Sequence, residues 1–163
     1  MKNLYLVLLA LMLSIPLWGQ SKFPSLTVKK MTGGTINLNQ ITNNGKPILF
    51  IFWATWCGPC KRELNAIHEL YADWTKETGV KIYAIAADDQ RTVDRVLPFV
   101  NAAGWNFDVI LDPNGDVRRT FGVNDVPFTI LFNGNGIQFW KHSIYNPGDE
   151  YEIYVKIHQL LKK

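Results

Sequence analysis

The chain contains two cysteines, Cys57 and Cys60, separated by Gly58 and Pro59. Two thiols this close can join in a small disulfide ring, but they cannot cross-link distant parts of a fold. Their value is chemical. A small secreted domain stapled by disulfides spreads more cysteines over its loops. A cysteine at a helix start sits where unpaired backbone N–H groups and the helix dipole favour negative charge. That placement lowers the pKa of Cys57 and raises its thiolate fraction near neutral pH. Such a thiolate attacks a disulfide and forms a mixed disulfide. Cys60, one turn along, then attacks the Cys57 sulfur and releases a reduced product. Gly58 and Pro59 suit the tight turn, and a proline in the first helical turn wastes no hydrogen bond. Half a zinc site has the same spacing, but zinc needs two more ligands. No third cysteine exists and His68, His142 and His158 are scattered, so no metal is expected.

The elements that must position this pair are legible around it. Ile48 to Trp53 is a continuous apolar run, the pattern of a strand buried on both faces. After the cysteines, Cys60, Leu64, Ile67, Tyr71 and Trp74 recur at alternating steps of four and three, which lines up one face of a helix. Thr78-Gly79 ends that helix. Val80 to Ala87 reads as a second strand, and Thr92 to Ala103 as a helix with Pro98 awkwardly inside it. Phe107 to Leu111 reads as a strand and Asp116 to Phe121 as a short helix. Pro127 to Phe132 and Ile137 to His142 read as strands joined by Asn133-Gly134-Asn135-Gly136, a hairpin signal. The chain closes with an amphipathic helix over 149–161, carrying Tyr151, Tyr154, Val155, His158 and Leu161. Residues 21–47 hold turns around short strands, an N-terminal β-hairpin. Strands alternating with helices, then a hairpin and a last helix, predict an α/β fold with a mixed sheet flanked by helices.

Two motifs together carry a resemblance. Phe52-Trp53-Ala54-Thr55-Trp56-Cys57-Gly58-Pro59-Cys60 resembles the active-site signature of the thioredoxin superfamily, and Gly122-Val123-Asn124-Asp125-Val126-Pro127-Phe128-Thr129 resembles its second signature. With a strand–helix insertion around Asp88 to Leu111, the chain is most similar to the exported TlpA/ResA-like branch, from about Phe23 onward. The resemblance implies a thioredoxin-like fold and thiol–disulfide oxidoreductase activity through a redox-active Cys57–Cys60 disulfide, with no other cofactor. It implies a cis Val126-Pro127 bond beside the cysteines, Val126 pairing through its backbone with a bound substrate strand, and Trp56 flanking that substrate. An ordinary trans proline opening a strand is the alternative. Cytosolic thioredoxins keep an aspartate where this chain has Ile51. In ResA-like proteins a glutamate after the motif lies near the cysteines, and Glu63 occupies that place. Glu63 is therefore expected to have a raised pKa and to handle the proton of Cys60. A solvated carboxylate in Lys61-Arg62-Glu63 is the alternative.

The totals bound the reading. At 163 residues, with 47% apolar and 19% charged residues, the sequence fits one globular domain over 21–163. A net charge of +3 gives no reason to propose nucleic acid as a partner. Residues 1–20 run from Lys2 through an apolar stretch, Leu4 to Leu13, to Ser14, Pro16 and Gly19. That order matches a secretory signal peptide, with retention as an N-terminal anchor as the alternative. The implied location is exported, periplasmic or otherwise extracytoplasmic. The expected partners are disulfide-containing proteins and a membrane-bound thiol donor, the chain itself being a monomer. The resemblance extends to a branch that serves cytochrome c maturation. The competing class is a Cu(I)-binding thioredoxin-like chaperone, with His142 as the conceivable extra ligand. A peroxidase is weaker, because a tryptophan-flanked dithiol is wrong for a peroxide-reactive cysteine. Asp112, Asn114 and Asp116 imitate a calcium loop, but Val117 and Val123 stand where glycine and glutamate are needed.

Overall fold

The structure, a computed structural model, describes residues 23–162. The signal or anchor segment read over residues 1–20 lies outside the described residues.

Among the described residues, seven strands form one sheet in the order β2-β1-β5-β4-β3-β6-β7. They are β1 (Thr27–Lys30), β2 (Thr35–Asn37), β3 (Ile48–Trp53), β4 (Lys81–Ala86), β5 (Asp108–Leu111), β6 (Phe128–Phe132) and β7 (Gln138–Ser143). Among the described residues, four α-helices accompany them: α1 (Gly58–Thr78), α2 (Val96–Ala103), α3 (Asp116–Phe121) and α4 (Asp149–Leu161). β3, β4 and β5 run parallel, joined by helical crossovers, while β6 and β7 run antiparallel beside β3. The hairpin β1–β2 is present and joins the sheet antiparallel to β5.

All six residues of β3 are buried because helices or loops cover both faces of the sheet. Its side chains alternate between two cores. Leu49, Ile51 and Trp53 face a core shared with Leu64, Ile67 and Trp74 of α1 and Ile153 and Ile157 of α4. Ile48, Phe50 and Phe52 face a second core with Phe23, Leu38 and Val117. There Phe23 stacks on Phe50, with ring centres 5.1 Å apart, and meets Phe132 edge-on at 4.9 Å.

Two readings need correction. The expected helix from Thr92 is divided: a 3₁₀ turn spans Val93–Arg95 and α2 begins at Val96. Pro98 therefore falls in the first turn of α2, where a residue without an N–H breaks no helical bond. On α4, the buried stripe runs through Ile153 and Ile157, while Tyr151 and Val155 face solvent. Aromatic and aliphatic residues occupy both sides of this helix, so the residues named from the sequence do not coincide with the buried stripe. Tyr154 lies at the seam, against Trp74 and bonded to Glu77.

Among the described residues, no helix is long and apolar enough to cross a membrane.

Candidate active site

β3 delivers the chain to the cysteine turn at one end of the sheet. After Trp53 the backbone turns sharply, with Cys57 N–H donating to the Ala54 carbonyl at 3.0 Å. Cys57 is the N-cap of α1, and its sulfur accepts from the Cys60 N–H at 3.2 Å. Pro59 lies in the first turn, as its fixed φ and missing donor favour. Cys57 and Cys60 form a disulfide, closed within one helical turn. Cys60 is fully buried, whereas Cys57 retains slight exposure, so the first sulfur is the one an incoming group can reach. Trp56, beside it, is 60% exposed.

The turn is held from β4. Asp88, just past the end of β4, is completely buried. One carboxylate oxygen accepts from the Thr55 N–H at 2.8 Å and the other from the Thr55 hydroxyl at 2.5 Å. Both bonds land two residues before Cys57.

β6 brings the second motif to the same end of the sheet. Phe52 of β3 pairs with Phe128 of β6, so the loop preceding Phe128 rises beside the loop following Trp53. The Val126-Pro127 bond is cis, and Val126 packs against the core that contains both cysteines.

Glu63, three residues along α1 from Cys60, is only 2% exposed, so the solvated alternative does not hold. Its Oε1 accepts from the Thr129 hydroxyl at 2.8 Å, and its Oε2 is buried with no hydrogen-bonding partner. Burial pushes the Glu63 carboxyl up to about 7, against a smaller downward pull from the Thr129 hydroxyl. Of the nearby charges, His142 favours the ionised form and Asp149 and Glu150 oppose it. Ile51 pairs directly with Thr129 across the sheet. The acid at this site thus comes from the helix rather than the strand.

Three polar features escaped the sequence reading. Thr129 lay within the quoted second motif but received no role, because its partner is on α1. Asp88 closes an apolar run, and an acid in that position is a signal that could have found it. Around α4, Tyr145 donates to Glu150 at 2.9 Å, and His142 lies 3.2 Å from Asp149. His142 is thus engaged with a carboxylate. Among the described residues, no three His, Cys, Asp or Glu side chains gather as a metal site would require. Asp112, the head of the imitation calcium loop, is a turn cap that accepts from the Val117 and Arg118 N–H groups.

A profile of the AhpC/TSA family matches residues 20–138. The chain belongs to this family. Its fold is thioredoxin-like: the AhpC/TSA chain superimposes with a TM-score of 0.77 on an uncharacterized thioredoxin-like protein from Porphyromonas gingivalis. That match is 38% identical and covers 88% of this chain and 94% of the other. A candidate thiol:disulfide interchange protein DsbE from Chlorobium tepidum gives a TM-score of 0.74 at 26% identity, over 87% of this chain and 96% of that one. In sequence, the chain is 36% identical to the thiol-disulfide oxidoreductase ResA of Bacillus thuringiensis over 113 residues, 69% of this chain. The aligned part spans 62% of that relative's length.

Proposed function

We propose that this protein is an exported thiol–disulfide oxidoreductase that reduces disulfides of extracytoplasmic proteins. The observation that carries the reading is the Cys57–Cys60 disulfide at the head of α1, with the cis Val126-Pro127 loop at the same end of the sheet and a buried carboxyl, Glu63, three residues along the helix from Cys60. In the reduced protein, the Cys57 thiolate attacks one sulfur of a substrate disulfide, expelling the other as a thiolate. Cys60 then gives its proton to the Glu63 carboxylate and attacks the Cys57 sulfur, expelling the second substrate thiolate. Two electrons pass to the substrate and the Cys57–Cys60 bond re-forms. Trp56 flanks the bound segment, and the Val126 backbone pairs with it.

Export is supported by the charge and apolar pattern of residues 1–20. A reductase in that location needs electrons from across a membrane, which calls for a membrane-bound dithiol donor as partner. The substrates in this reading include apoproteins of cytochrome c maturation, and the protein acts as a monomer with no cofactor besides its own disulfide.

The test is the reduction potential of the Cys57–Cys60 couple, equilibrated against defined thiol buffers. A value near the thioredoxin end, about −270 mV, supports the reductase. A value near about −120 mV makes the protein an oxidant and removes the reducing half of the proposal.

A further inference from the structure

Ile144 follows β7 and donates its N–H to the Pro127 carbonyl at 3.2 Å. It therefore stands against the cis-proline loop, at the end of the sheet where the cysteines lie. Across that end come, in order, Trp56 and Cys57 beyond β3, Pro127 before β6, and Ile144 beyond β7. Ile144 has a φ of 68°, in the left-handed region, where a β-branched side chain crowds its own backbone. Asn44 also has a positive φ, but asparagine tolerates that region. Ile144 is also 69% exposed, more than any other large apolar side chain among the described residues. Its backbone is strained and its side chain buries little, so neither property favours the folded state.

Both properties make sense if the side chain is buried by something bound. We infer that Ile144 determines specificity, selecting polypeptide disulfides that carry an apolar residue beside the cysteine that Cys57 attacks. The inference rests on the oxidoreductase reading. A segment laid along the Pro127 loop with its sulfur at Cys57 carries its neighbouring side chains toward Trp56 on one side and Ile144 on the other. The two exposed apolar groups then bracket the reacting disulfide. The hydrogen bond to Pro127 fixes the Ile144 backbone relative to the loop, so the side chain is presented in one place. An apolar partner there removes both surfaces from water, which a serine or a charged residue does not achieve.

The test uses two peptides with an intramolecular disulfide, identical except for leucine or serine beside the attacked cysteine. Their reduction by the full chain is followed at steady state for the wild type, Ile144→Gly and Ile144→Asn, with a chemical dithiol re-reducing the Cys57–Cys60 disulfide after each turnover and its direct reaction with the peptide subtracted. Glycine and asparagine both accept the left-handed conformation, so neither variant forces the backbone to move. Denaturant unfolding checks this, and the Ile144→Gly midpoint is expected to hold or rise. The wild type should favour the leucine peptide about tenfold in kcat/KM, mainly through KM, and both variants should bring that ratio near one. A wild-type ratio near one, or a ratio that survives both substitutions, overturns the inference while leaving the oxidoreductase reading in place. A wild type that reduces neither peptide removes both.

Discussion

Between pH 4.5 and about 7 the folded protein keeps a proton on Glu63 that the unfolded chain has already released. Folding then takes up a proton, so stability falls as pH rises through that window and stays lower above it. The span corresponds to about 3 kcal/mol. Glu63→Gln should flatten that part of the stability–pH curve and leave the variant more stable than the wild type at pH 8, as read by urea unfolding at several pH values. The same substitution removes the acceptor for the Cys60 proton. The rate of mixed-disulfide resolution should fall about a hundredfold and lose its inflection near 7, measured by rapid mixing with a peptide disulfide. A residue that costs stability at neutral pH yet supports turnover is the expected pattern of a functional acid.

At the scale of the elements, strand ends aim the chemistry. Asp88 transmits the position of β4 to the cysteine turn through its two bonds to Thr55. Asp88→Ala leaves the partly buried N–H and hydroxyl of Thr55 without their acceptor. It should cost about 2–4 kcal/mol in denaturant unfolding, and it should slow attack by Cys57 as well. The opposite end of the sheet behaves differently. A Cβ on Gly134 would lie 2.3 Å from the Gly45 backbone, so Gly134→Ala must push two loops apart. That should cost about 1–3 kcal/mol of stability while leaving the Cys57–Cys60 reduction potential where it was. These elements were unequally legible in the sequence. The bounds of α3 and α4 could be read to the residue, because turns and glycines punctuate them. The buried face of α4 could not, because Tyr151 and Val155 put hydrophobic surface on the side opposite the isoleucines that pack inward. The cysteines and Pro127 announced themselves by local motif. Thr129 and Asp88 did not, since what gives them meaning is a partner from another element.

For the molecule as a whole, two cores on opposite faces of one sheet carry the fold, and the disulfide closes only a short ring. Cross-linking so few residues restrains the unfolded chain little, by about 2 kcal/mol. Reduction should therefore leave the far-ultraviolet circular dichroism unchanged and lower the thermal midpoint by only a few degrees. The pairing of Phe52 with Phe128 has a further consequence, in time rather than in space. A chain made from its N-terminus exposes both cysteines well before β6 exists, an interval of several seconds at usual rates of synthesis. Until β6 inserts beside β3, the thiols have neither the proline loop nor the threonine that holds the buried acid. The nascent chain is a bare dithiol, open to any passing disulfide, and it gains its discrimination only when its last third arrives.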